Sequence, residues 1–182
     1  MPVTTQIILS AIAVLAAYFD LRWRTIPNWL VLTGLLSGLA LNVFLFGWEG
    51  LRSSFFGIGI AMLVYLPLYA LRAMGAGDAK LMMAIGSLVG PGTWLFIFFA
   101  TGILGGIIGL VVIVASKRVK HTLWNVGFLL HRLANLQTPY ANSELDVRSD
   151  AGLRLPHGAA VALGTIVVVC RSGSVAGWDL IR

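Results

Sequence analysis

The sequence lacks nearly everything needed for a metal or disulfide framework. Cys170 is its single cysteine, so there is no internal disulfide and no Cys-x-x-Cys pair to hold zinc. Its histidines, His121, His131 and His157, have no metal-ligand spacing. Charge is equally scarce: Asp, Glu, Lys and Arg together make up 11% of 182 residues, against about 25% in soluble domains. That scarcity, with 58% apolar residues and a mean hydropathy of +0.90, excludes a soluble globular domain, a disordered chain and a collagen-like chain. No Lys or Arg precedes the first apolar run. The positive start of a secretory signal peptide is therefore missing, and a retained transmembrane helix is expected there. There is no internal repeat and no low-complexity tract.

What is present is a series of charge-free apolar stretches, at 1–19, 25–48, 53–71, 81–116 and 155–170. A helix needs about 20 residues to cross roughly 30 Å of hydrocarbon. The 36-residue stretch 81–116 is too long for one crossing and contains Gly90-Pro91-Gly92, a strong turn signal. The pattern predicts an all-α membrane protein, a single transmembrane domain over 1–182. Its six transmembrane helices should lie at about 3–20, 26–47, 53–72, 77–90, 93–115 and 155–171.

The net charge of +6 would suggest nucleic acid in a soluble protein. Here the basic residues lie between apolar runs, so membrane lipids are the expected partner and nucleic acid is not. With six crossings, one set of loops holds Arg22, Arg24, Arg72, Lys80, Lys117, Arg118, Lys120, Arg132, Arg148 and Arg154, and the other only Arg52, Arg171 and Arg182. The richer set should face the cytoplasm, with both termini outside.

Between the fifth and sixth spans, Val119, Leu123, Val126, Leu130 and Leu133 recur at steps of four and three, one stripe of a helix. Lys117, Lys120, His121 and Arg132 fall off that stripe. A cytoplasmic amphipathic helix over 117–137, lying flat on the leaflet, is expected. A polar loop should follow over 138–154. No role is assigned to the 117–154 segment.

Ionisable groups beside lipid are costly and call for a reason. Asp20 ends the first span and Asp78 opens the fourth, both on the cytoplasmic side of this topology. Taken singly, each reads equally as a helix cap, and Asp20 also as a partner of Arg22 or Arg24. Taken together, they read as an aspartic dyad. Two carboxylates a few ångströms apart share one proton. The ionised member can take a proton from water while the protonated one hydrogen-bonds a scissile carbonyl. That chemistry needs neither metal nor cofactor, and none is expected. Gly75 and Gly77 precede Asp78; they permit positive φ and remove bulk, so that an extended peptide can approach. Lys80, two residues beyond Asp78, is expected to snorkel to headgroups or bias the local field. Pro27 suits the first turn of the second helix.

The combination of Asp20, Ile26, Pro27 and Asn28 with Gly75, Gly77, Asp78 and Lys80 resembles the type IV prepilin peptidases, which are GxGD-type intramembrane aspartic proteases. The spacing of 58 positions from one acid to the other resembles that in the small members. The run Leu155-Pro156-His157-Gly158-Ala159-Ala160 is similar to a segment that those members often carry. The resemblance implies that Asp20 and Asp78 are catalytic, with Gly75, Gly77, Lys80, Ile26, Pro27 and Asn28 as supporting or substrate-binding positions. It implies a prepilin leader peptidase of the bacterial cytoplasmic (inner) membrane, cleaving at its cytoplasmic face. Only six residues separate Asp20 from Pro27, and the cysteine-rich insertion of the large, methylating members is absent. The chain therefore looks like the short TadV/CpaA-like form that serves Flp-type pili in tight-adherence systems, without N-methylation.

Two other readings of the same acids stand beside this one. One is an ion- or proton-coupled transporter subunit, although no second half repeats the first. The other is a non-catalytic pilus or secretion assembly protein.

Overall fold

The structure is a computed structural model that describes residues 1–71, 74–116, Trp124 and 157–178, with side chains in the last helix through Ser172. Among these residues all the regular secondary structure is helical. α1 spans Val3–Trp23, α2 Asn28–Ala70, α3 Ala76–Ala115 and α4 His157–Trp178. The first three are long and apolar enough to cross a membrane, and the apolar part of α4, His157–Ser172, is shorter. The stretch expected to form an amphipathic helix, 117–137, and the loop to 154 lie outside the described residues, Trp124 apart.

At about 1.5 Å per residue, the 43-residue α2 would run roughly 65 Å if straight. It does not, because Gly47 takes φ 59°, ψ −135°, a conformation essentially closed to residues with a Cβ. The arm after Gly47 folds back on the arm before it, and Asn42 Nδ2 donates to Ser54 Oγ at 2.9 Å across the hairpin. The sequence pattern expects a loop over 48–52, where Glu49 and Arg52 lie. Those residues are helical instead. They pair with each other at 3.3 Å on the surface, and a single glycine supplies the reversal.

α3 breaks in the same way at Gly90, φ 71° and ψ 177°. Pro91 follows as the start of the next arm, where a missing N–H does no harm. Trp94 Nε1 donates back to the Met82 carbonyl at 2.9 Å, which ties the two arms together.

The hairpins pack closely because small residues line their contact. A methyl on Gly57 would overlap the Gly86 carbonyl, and one on Gly38 would overlap Ser87. Such close backbone approach stabilises helices in lipid, where burial of apolar surface alone gives little. The core joins Leu9, Ile12 and Ala16 of α1, Leu30, Ala61 and Tyr65 of α2, Met82, Ile85, Trp94 and Ile97 of α3, and Val161 of α4. The outer surface is apolar as well, with Phe44, Leu63, Phe96 and Ile103 exposed. This is the arrangement of a membrane protein, whose exterior meets lipid.

Candidate active site

The C-terminal end of α1 and the N-terminal ends of α2, α3 and α4 meet at one end of the bundle, opposite the turns at Gly47 and Gly90. The meeting brings Asp20 and Asp78 together. Asp20 lies in the last turn of α1 and is only 9% exposed. Asp78 is half-buried in the first turn of α3. The two carboxylates, 58 residues apart in sequence, lie within electrostatic reach of one another.

Each acid is held by a main-chain N–H from a glycine at the start of a helix. Gly75 caps α3 and its N–H donates to the Asp78 carboxylate. This is the reciprocal half of a capping box, with the acid three residues inside the cap. Asp78 is therefore a cap and a neighbour of Asp20 at once. Asp20 sits at the wrong end of its own helix, where the dipole disfavours an anion. The start of α4 compensates: the Gly158 N–H donates to Asp20 Oδ2 at 2.8 Å. Neither Arg22 nor Arg24 pairs with Asp20. Arg22 lies over the Trp23 ring at 5.8 Å. Arg24 closes α1 in a left-handed conformation, φ 54°, its N–H donating to the Asp20 carbonyl at 2.9 Å.

The other residues singled out from the sequence come together around Asp78. Lys80 Nζ donates to Asn28 Oδ1 at 3.0 Å, so its ammonium group joins the two motifs rather than only reaching for headgroups. A methyl on Gly77 would lie 3.3 Å from Ile26 Cβ; the space left by this glycine is where the α1–α2 connection packs. Gly75 and Gly77 do not take positive φ, which among the described glycines is confined to Gly47 and Gly90. Their contribution is lack of bulk, against Asp78 Oδ2 and Ile26 respectively. Pro27 stands at the N-cap of α2, and Asn28 is the first helical residue.

Three groups of the site have no role that side-chain patterns assign, although two of them, His157 and Gly158, stand in the run 155–160 that resembles a segment of the small prepilin peptidases. Gly158 acts through its backbone, which carries no sequence signature beyond the small residue itself. A Cβ there would fall 2.9 Å from Asp20 Cβ and 3.0 Å from Oδ2. Tyr65 lies hidden in a charge-free apolar run but stands within electrostatic reach of Asp78. His157 stands within reach of Asp20, and its ring is 6.5 Å from that of Tyr65. Among the described residues, no three or more His, Cys, Asp or Glu come together as a metal-binding group.

Two carboxylates within electrostatic reach of one another, one buried and one half-buried, have the chemistry to activate a water and polarise a carbonyl. A sequence model of the type IV leader peptidase family matches residues 7–110, a span that holds both acids and both motifs. No curated protein and no solved structure matches the chain.

Proposed function

The chain belongs to the type IV leader peptidase family, and from that membership we propose that it is a membrane-embedded aspartic endopeptidase that removes the leader of a prepilin. Asp20 and Asp78 are the catalytic pair. The observation that carries this reading is the electrostatic meeting of these two acids, from different helices, at one end of a membrane protein. The ionised carboxylate takes a proton from a water lying between the pair. The resulting hydroxide adds to the scissile carbonyl carbon, whose oxygen is hydrogen-bonded by the protonated partner. Collapse of the tetrahedral intermediate breaks the C–N bond, and the leaving amine takes its proton from the dyad.

The proposal extends to membrane arrangement. α2 and α3 each fold back at a glycine, so with α1 and α4 they supply six crossings within a single transmembrane peptidase domain. The active end faces the cytoplasm of a bacterial inner membrane and both termini lie outside, in keeping with the distribution of Lys and Arg. The substrate is a Flp-type prepilin that arrives from the lipid with its leader in the cytoplasm, and the reaction proceeds without N-methylation. The short Asp20–Pro27 connection and the single cysteine support this short form of the enzyme.

Co-expression with a Flp-type prepilin tests the reading. The wild-type protein should yield the shortened pilin. Asp20→Asn and Asp78→Asn should each slow cleavage by about 10²–10⁴-fold or more, the usual contribution of a positioned acid or base. Cleavage at the wild-type rate by either variant would overturn the dyad assignment.

A further inference from the structure

Among the titratable groups at the active end, one from each helix is buried or half-buried near the acids: Asp20 from α1, Tyr65 from α2, Asp78 from α3 and His157 from α4. The hydrolysis described above uses two of the four.

His157 is fixed from two sides. Its neighbour Gly158 donates its N–H to Asp20 at 2.8 Å, so the imidazole is one residue away from a bond to the carboxylate. On the other side its ring leans on Tyr65, with centroids 6.5 Å apart and planes tilted by 54°. Tyr65 is itself immobilised, 1% exposed and edge-on to Trp94 at 6.1 Å and Phe98 at 6.0 Å. An imidazole held in this way is a poor candidate for simple gap filling. Its Nε2 is buried and makes no hydrogen bond among the described residues. A ring nitrogen is always a donor or an acceptor, and burying one without a partner is costly. Two threonine hydroxyls, Thr101 and Thr165, are also buried without a partner among the described residues, but of the three His157 is the one beside the acids, and such an orphan calls for an explanation.

A peptide bond can be cut only in extended chain, and an extended chain offers unpaired N–H and C=O groups along its length. Either would pair with Nε2, according to which nitrogen of the ring carries the proton. His157 stands within reach of Asp20, and Asp20 of Asp78, so a strand brought to the two acids passes close to the start of α4.

We propose that His157 is a substrate-binding residue of this site, its Nε2 hydrogen-bonding a main-chain group of the peptide and so holding the strand in register beside Asp20. The inference rests on the peptidase reading. It assigns His157 to binding, with the proton transfers left to the two acids.

The test is steady-state cleavage of a prepilin substrate by the full-length protein in proteoliposomes. His157→Phe keeps a flat ring and removes both nitrogens. It should raise KM roughly 3- to 10-fold, the range of one lost neutral hydrogen bond, with kcat within about 2-fold. His157→Gln, which restores a donor and an acceptor, should recover most of the loss. An unchanged KM in His157→Phe overturns the proposal, as does a fall confined to kcat.

A second measurement keeps His157 itself. In the inactive Asp78→Asn protein, with His121 and His131 replaced by Gln, the remaining histidine is labelled with ¹⁵N. Added prepilin should shift its Nε2 resonance, and an unmoved resonance at saturating substrate would overturn the proposal. The two readings fail differently. A wild-type protein that cleaves no prepilin, or an Asp→Asn variant that does, sinks the peptidase reading. A wild-type protein that cleaves, matched in KM by His157→Phe, sinks only this inference.

Discussion

Both ends of the bundle bury polar groups, and they treat them in opposite ways. Near the turns, Pro91 has no N–H, so the Ser87 carbonyl four residues earlier loses its helical partner. Two side chains replace it: Asn42 Nδ2 donates to the Ser87 carbonyl at 2.8 Å, and Ser54 Oγ donates to it at 2.7 Å. Asn42 also reaches the Leu88 carbonyl at 3.1 Å, and the Ser87 hydroxyl bonds back to the Ala84 carbonyl at 2.8 Å. That cluster is closed, and every member is occupied with another. At the other end, among the described residues, Asp20 and Asp78 each accept one main-chain N–H, which leaves most of a carboxylate's acceptor capacity open to groups beyond them. A saturated network fixes a helix break in lipid. An unsaturated one keeps its polar atoms for something that arrives. The contrast predicts that substitutions near the turns change stability and those at the active end change turnover.

After replacement of the two acids themselves, the largest effect should come from Gly158→Ala. The new methyl would lie 2.9 Å from Asp20 Cβ, an atom anchored to the backbone that cannot swing away. α4 or the end of α1 must therefore shift, and the hydrogen bond to Oδ2 with it. Displacement of a catalytic group by about 1 Å costs on the order of 10²-fold in rate. Gly105→Ala provides the control on another contact of α4, with α3, because its methyl would meet Ala160 Cβ at an ordinary 3.5 Å. Cleavage assays should show a loss of about 10–10²-fold for the first and near-wild-type turnover for the second. Equal activity in the two would mean that the α4 backbone does not hold Asp20.

Asn42→Leu tests the closed end. It removes the donor to two carbonyls while nearly keeping volume. Hydrogen bonds inside membrane proteins are worth about 0.6 kcal/mol on average, and an unsatisfied buried group costs up to roughly 1–3 kcal/mol. Ser54 continues to serve the Ser87 carbonyl, so a loss of about 1–2 kcal/mol is expected. Thermal unfolding in detergent should reveal it, while kcat and KM per folded molecule stay at wild-type values. A large fall in kcat without loss of stability would erase the distinction between the two ends.

The sequence makes some of this legible and hides the rest for definable reasons. Asp20 and Asp78 can be picked out because acids at the edges of apolar runs are few and costly. The Gly90-Pro91-Gly92 run announces a break because proline removes a donor and glycine tolerates positive φ. The break at Gly47 is not announced. The nearby charges draw attention to 48–52, yet at the end of a hairpin Glu49 and Arg52 remain helical and pair with each other. The contributions of α4 are the least legible. Periodicity reports which face of a helix is apolar; it does not report which backbone N–H meets which carboxylate 138 residues away. Tyr65 is hidden for a related reason, and His157, though it stands in the noted run 155–160, has no role legible there. An aromatic residue in an apolar run looks like packing until the acid beside it is known.

The smallest effect should lie at the surface tie between the two motifs. Lys80 Nζ and Asn28 Oδ1 are 3.0 Å apart but exposed, so water competes for both and the ammonium loses little solvation on pairing. Exposed charged contacts are worth about 0–1 kcal/mol. The half-buried apolar packing of Ile26 against Gly77 holds the same two segments without relying on a polar bond for which water competes. Asn28→Ala and Lys80→Met should therefore each change turnover by no more than roughly 2-fold, and a double-mutant cycle should give a coupling near 0.5 kcal/mol. Gly77→Ala, which pushes Ile26 Cβ from 3.3 Å, should cost more than either. A coupling above about 2 kcal/mol would mean that the Lys80–Asn28 pair is shielded from water as Asp20 is, and that the dry part of the active end extends across the α1–α2 connection.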